Sequence, residues 1–275
     1  MSDLLKKVIK DRLAIVSLTV ILLTLMVGVL APFIVPNDPN LIDVVNKFAK
    51  PSFSYPLGTD QSGRCLFSRL LFGIRTTLFL ALFTMIVTIS IGTILGIISG
   101  YFKGWIDNIM MRLCDIMLSF PSQVMILAIV GMLGPGIFNV IIANIVVKWA
   151  WYTRMIRGSV IQASETNYIL YSKAVGTSTS FILSKHVLPH SFSQIIVLAT
   201  LDTGWVILNI SALSFLGLGI QPPTAEWGSM LSEARNVWMS QPLQMLYPGL
   251  AIVIIVAAFN YLGDSLRDIR DPKDA

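Results

Sequence analysis

Charge is scarce in this sequence, and so are most of the residues that usually carry chemistry. Only 13% of its 275 residues are charged, against about a quarter in soluble globular domains. Cysteine and histidine occur twice each. No stretch reads G-x-x-x-x-G-K-[ST], so there is no P-loop to cradle ATP. The apolar segments hold no Ser/His, His/Glu or paired-carboxylate cluster, which argues against an intramembrane enzyme. Inverted repeats with broken helices, the mark of ion-coupled carriers, are not evident. An ion-coupled secondary transporter is therefore a remote alternative, with Asp202 as its proton or cation site. The first apolar run is too long for a cleaved signal peptide and lacks a small-residue cleavage site, so it is expected to remain.

What is abundant is apolar length. Apolar residues make up 55% of the chain, mean hydropathy is +0.74, and charge-free runs cover 13–37, 76–102, 116–147, 187–201, 203–225 and 236–263. A helix needs about 20 such residues to cross the hydrocarbon core. The run 116–147 is too long for one crossing and contains Gly134-Pro135-Gly136, which reads as a tight turn between two helices. The expectation is an all-α integral membrane protein with six spans, near 13–35, 76–100, 113–133, 137–156, 192–216 and 244–263.

Lys and Arg placement sets the orientation. With the N-terminus inside, the inner segments hold thirteen of them and the outer segments six, most of the six in one loop with Lys47, Lys50, Arg64, Arg69 and Arg75. Both termini are expected on the inner side. The inner basic residues, Lys6, Lys7, Lys10 and Lys273 among them, then face anionic lipid headgroups, and the net charge of +5 needs no nucleic acid. Cys65 and Cys114 fall on opposite sides of the bilayer, which excludes a disulfide between them.

The longest inner segment, 157–191, is too polar to insert. Asn167 can cap a short helix from Tyr168 to Val175, Gly176 can end it in a left-handed turn, and Ser178 or Ser180 can start a second helix that Pro189 closes. So short a helix is marginal alone and needs a surface, either the protein's own rim or a partner.

In this segment Gly176, nine further residues, and then His186-Val187-Leu188-Pro189 resemble the cytoplasmic loop of ATP-binding cassette (ABC) importer permeases, E-A-A-x-x-x-G-x9-I-x-L-P. Leu170-Tyr171-Ser172 stand at the Glu-Ala-Ala positions and His186 at the Ile. Leu57-Gly58-Thr59-Asp60-Gln61-Ser62-Gly63-Arg64 with Ser68-Arg69-Leu70-Leu71-Phe72-Gly73, Leu213 to Gly219, Glu226-Trp227-Gly228, and Asn260 to Asp268 are similar to the C-type permease of the peptide/nickel subfamily. Cys65 stands where an Asp is usual. Trp149 to Met155, Leu198 to Gly204, Pro223 to Gly228 and Gln241 to Met245 look more like nickel-type permeases than dipeptide ones.

The resemblance implies a type I ABC importer permease fold. Residues 1–75 would form an N-terminal helix and outer loop, 76–264 the permease core with its coupling loop at 157–191, and 265–275 a cytoplasmic tail. It implies import of nickel or a metal-chelate, or alternatively of di- or oligopeptides, across a bacterial or archaeal plasma membrane. The implied partners are a second permease in a heterodimer, two ATP-binding subunits that hold ATP and Mg, an extracytoplasmic substrate-binding protein, and membrane lipid. This chain would bind no cofactor and catalyse nothing. Tyr168, Leu170, Tyr171, Ala174, Gly176, Leu188 and Pro189 would couple it to the ATPase.

Other candidates come from the residues themselves. Asp202, Trp205 and Asn209 fall on one helical face and could line a wet path, since an ionisable residue deep in a span is costly. Asp202 could equally pair with Lys148 or Arg112 as structural glue. Glu226, Trp227 and Arg235 lie on the outer side, where a binding protein could dock or the loop could cap the bundle. His186 and His190 read as surface histidines, and Met117, Met125 and Met132 as packing, so no metal site is expected. Gly92, Gly96 and Gly100 form a doubled small-x-x-x-small row suited to close helix packing.

Overall fold

The computed structural model describes residues 11–270. Lys6, Lys7, Lys10, Lys273 and the end of the expected tail lie outside them. Helix α1, Arg12–Ile34, starts at Asp11, whose carboxylate accepts from the Leu13 and Ala14 backbone N–H. It stops where Val35, held extended ahead of Pro36, leaves the helical region. Its 23 residues rise about 35 Å, enough to cross a bilayer. A long loop follows, with one 3-10 turn at Val44–Asn46.

Helix α2, Leu66–Ile74, passes through a wider π turn, Arg75–Phe79, into α3, Leu80–Phe102. The expected second span therefore begins ten residues early. Arg69 does not break the helix because two carboxylates neutralise it, and the π turn lies where Thr76 and Thr77 reach across to Ala225 and Glu226. Lys103 and Gly104, both at positive φ, reverse the chain into α4, Gly104–Leu118.

The third expected span, 113–133, is not one helix. α4 and α5, Ser122–Leu133, meet at an 82° bend. Pro121 occupies the N-cap of α5, and its missing N–H together with the restricted residue before it stops α4. The expected glycine turn is in place: Gly134 and Gly136, at φ +89° and +153°, lead into α6, Ile137–Ser164. α6 runs eight residues past its expected end, and its charges find partners: Lys148 lies near Asp202, Arg154 pairs with Asp115, and Arg157 pairs with Asp107.

The connecting segment carries α7, Asn167–Ala174, and α8, Thr179–Ile182. A π turn at Leu183–Val187 joins α8 to α9, Leu188–Phe215, and α10, Trp227–Ala234, and α11, Leu243–Arg270, complete the chain. Among the described residues four helices are long and apolar enough to cross a membrane, five if the bent pair counts as one. α6 is less apolar than these, with Asn139, Asn144, Lys148 and Arg154 along it, but traverses the bundle from end to end. Gly136 at its start donates to the Leu218 carbonyl, and Glu165 just past its end meets Lys103. With α6 included the fold is an all-α, six-pass bundle.

α3 and α6 form its closest seam. A Cβ added at Gly92, Gly96 or Gly100 would sit 2.4 Å from the Tyr152 Cβ, 2.9 Å from the Thr153 carbonyl oxygen and 2.9 Å from that of Arg157. The glycine row packs as its spacing suggests. At the end that holds Lys103 and the α7–α8 segment, Asp11 also meets the Ser265 hydroxyl, and this hydrogen bond holds its carboxyl below the usual range. Both ends of the described chain thus lie at one end of the bundle.

Candidate coupling loop and transport face

The α7–α8 segment is pinned by a few apolar residues and presents the rest. Ile169, Ile182 and Val187 are fully or almost fully buried, while Tyr168, Leu170, Val175 and Phe181 are about half exposed and Tyr171 is 70% exposed. Ala174, Gly176, Leu188 and Pro189 also lie at the surface. Gly176 adopts φ +79° and ends α7 as expected. Thr166, rather than Asn167, precedes the helix. The His186 ring lies edge-on to both Tyr168, at 5.6 Å, and Phe181, at 5.7 Å, and so ties the two short helices together. Lys173 rests over the Tyr101 ring at 4.6 Å.

One expectation here is corrected. Pro189 does not close the second helix but sits in the first turn of α9, within one continuous helix from Thr179 to Phe215. A proline is tolerated in the opening turn of a helix, and the π turn just before it loosens the ladder that its missing N–H would otherwise break.

At the opposite end, two expected docking residues are corrected as well. Glu226 is 0% and Trp227 2% exposed, so neither side chain is available to a partner. Glu226 caps α10, accepting from the backbone N–H of Gly228 and Ser229 and from the hydroxyls of Thr77 and Ser211. Burial pushes its carboxyl above the usual range, against the pull of those hydrogen bonds. The Trp227 indole donates to the Leu70 carbonyl and packs against Gly73. Arg235 stays exposed beside the Phe215 ring.

A buried ion cluster escaped the sequence reading, which counted Arg64 and Arg69 only as outer charges. Arg64 pairs with Asp60 at 2.6 Å and with Glu233 at 2.8 Å, and Arg69 reaches Glu233 at 2.9 Å and the carbonyls of Pro39 and Pro223. Glu233 is 169 residues from Arg64, and no local pattern announces such a pairing. Cys65, buried, precedes α2 without a side-chain capping bond.

Near mid-bundle, Asp202 accepts from the Tyr152 hydroxyl and lies 4.0 Å from the Lys148 ammonium. Of the two expected ion partners Lys148 is the one in place, and Arg112 is exposed elsewhere. Lys148 stands over the Trp205 ring at 3.6 Å. Asp202 and Trp205 therefore come together, whereas Asn209 is buried, donates back to the Trp205 carbonyl and leaves its own oxygen without a partner. Among the described residues no three His, Cys, Asp or Glu side chains group to hold a metal.

Residues 92–273 match the model of the binding-protein-dependent transport system inner membrane component, and residues 1–51 match the N-terminal TM domain of oligopeptide transport permease C. The chain is 44% identical over 270 residues to the metal-staphylopine import system permease protein CntC of Staphylococcus aureus, covering 98% of this chain and 93% of that one. It is 40% identical to the dipeptide transport system permease DppC of Alkalihalophilus pseudofirmus, covering 98% and 88% of the two chains. It is 38% identical to the nickel transport system permease NikC of Escherichia coli, covering 93% and 92%. Such permeases are multi-pass proteins of the bacterial inner membrane that work with ATPase and substrate-binding partners and have no catalytic site of their own. A six-pass bundle with an exposed, glycine-hinged loop at one end, matched along nearly its whole length, belongs to the inner membrane component family of binding-protein-dependent ABC importers.

Proposed function

We propose that the cargo of this permease is nickel or a metal-chelate. The observation that carries the reading is the 44% identity, over almost the entire chain, to a permease named for metal-staphylopine import. The nickel permease adds to it, and the similarity to a dipeptide permease keeps di- or oligopeptides as the second reading. In a strain lacking its own importers and carrying the complete system, radiolabelled nickel should accumulate and labelled dialanine should not. Accumulation of the dipeptide alone rejects the reading.

In this reading the chain pairs with a second permease and is served by two ATP-binding subunits and a substrate-binding protein, with ATP and Mg held by the partners. Residues 1–75 are the N-terminal helix and outer loop, and 76–264 the core. The termini and the α7–α8 segment face the cytoplasm. Tyr168, Leu170, Tyr171, Ala174, Gly176, Leu188 and Pro189 offer the ATPase a surface, with Val175 and Phe181 added, in the manner of a short helix lying in a groove. Asp202 and Trp205 line the path, and Arg235 remains at the outer surface for the binding protein. ATP drives alternation only if the loop's contacts differ between the two states.

Gly176 tests the loop. An added Cβ would meet nothing within 4 Å, so a substitution acts purely through the left-handed backbone. Gly176→Val should cost on the order of 1–2 kcal/mol at that turn. Copurification of the ATPase and cargo-stimulated ATP hydrolysis should fall, while the amount of permease in the membrane holds. Wild-type values of both would remove the loop from the coupling role.

A further inference from the structure

Phe181 and His186 are five residues apart, a separation at which an α-helix turns two side chains well away from each other. Their rings nevertheless meet, at 5.7 Å between centres and 73° between planes. The π turn at Leu183–Val187 accounts for this. There the Leu188 N–H donates to the Leu183 carbonyl, five residues back instead of four. That winding brings positions i and i+5 onto one face, so the aromatic contact and the π turn depend on each other.

The same imidazole meets Tyr168, at 5.6 Å and 71°, across the left-handed turn at Gly176. Tyr168 lies in the first turn of α7 and Phe181 in α8, so one ring bridges the two helices. Each of them is otherwise pinned by a single buried residue, Ile169 in α7 and Ile182 in α8. Helices of eight and four residues do not hold a fixed mutual angle by their own stability. Among the described residues the imidazole makes no hydrogen bond, so ring packing is what it contributes. Tyr168 and Phe181 both remain 48% exposed, which leaves about half of each side chain open to a partner.

We infer that His186 is a positioning residue for the ATPase. It holds Tyr168 and Phe181 against one ring, so that α7 and α8 reach the partner's groove as a single preformed aromatic surface. The two helices are then ordered before docking rather than by it, which strengthens association without adding a contact. The inference rests on the reading of the α7–α8 segment as the ATPase-docking surface, and deepens it by naming the side chain that sets the surface's shape.

The test uses the complete importer in nanodiscs, with a fluorophore on the ATPase, diluted until half of the ATPase has dissociated. His186→Ile keeps apolar bulk and removes the ring. Its half-dissociation concentration should rise about tenfold, since each aromatic pair of this kind is worth roughly two- to tenfold in an equilibrium constant. His186→Phe restores a ring and should stay within about threefold of wild type. The yield and melting midpoint of the permease should be the same in all three. In a parallel sample, photoreactive benzoylphenylalanine in place of Tyr171, which is 70% exposed, should cross-link to the ATPase. Absence of that cross-link defeats the docking reading, and the inference with it. With the cross-link present, wild-type affinity in His186→Ile overturns the inference alone, and so does an equal loss in His186→Phe. A lower yield of folded permease in His186→Ile, with normal affinity in what remains, makes His186 a residue of the fold only and overturns it too.

Discussion

Gly96→Ile should leave almost no folded permease in the membrane. At Gly96 a single added carbon already meets the Thr153 carbonyl oxygen at 2.9 Å and the Ile156 Cβ at 3.0 Å. Neither is the movable end of a flexible side chain, so α3 and α6 would have to separate. In lipid there is no hydrophobic drive to hold two apolar helices together, and their association depends on close packing. Overpacking a well-packed site costs about 1–3 kcal/mol, and a branched side chain against backbone should exceed that range. Detergent-extracted protein measured by size-exclusion chromatography and thermal melting gives the readout. Gly96→Ala should be intermediate, and Gly131→Ala, with nothing within 4 Å of its added carbon, should behave as wild type. Equal yields of Gly96→Ile and wild type would show that the seam is not what holds the bundle.

Arg69→Met should destabilise the end of the bundle that holds Glu226 by about 3–5 kcal/mol, the usual consequence of removing one partner from a buried ion group. Arg69 is 1% exposed and connects Glu233 with the carbonyls of Pro39 and Pro223. Without it Glu233 keeps only Arg64, which Asp60 already shares. The double change Arg69→Met/Glu233→Met removes one charge of each sign and should recover part of the loss. The midpoint of thermal unfolding and protease resistance of the 36–65 loop measure both. A double variant as unstable as the single one would locate the loss in the carbonyl contacts rather than in the charges.

The number of passes, the glycine seam and the left-handed Gly176 were all legible, because each depends on local composition or on one residue's backbone freedom. The bend at Pro121 was present in the sequence as a single proline, but a charge-free run conceals whether a helix continues past it. Pro189 misled in the opposite direction: proline reads as a stop, and only the preceding π turn makes it the start of α9. Glu226 and Trp227 were read as surface because they are polar or amphipathic and lie outside a span. Their burial depends on Thr77 and Leu70, about 150 residues earlier. Lys148 and Asp202 could be paired on paper, yet the two tryptophans that frame the ammonium required the fold. The family was legible from scattered motifs, whereas the grouping of Lys148, Asp202 and Trp205 joins residues from separate helices.

The unbroken run from Thr179 to Phe215 has a mechanical meaning. Thr179 is 23 residues before Asp202, a rise of about 35 Å along one rod. A push on the exposed end of that rod is not absorbed in a slack hinge but arrives as displacement or rotation at the level of Asp202 and Trp205. Within the rod lies the π turn at Leu183–Val187, where a ladder wider than an α-helix can change its winding by a residue. Lever and clutch would then be parts of one helix: while the π turn holds its winding, work done at the loop is delivered to mid-bundle, and if it rewinds, the stroke is lost.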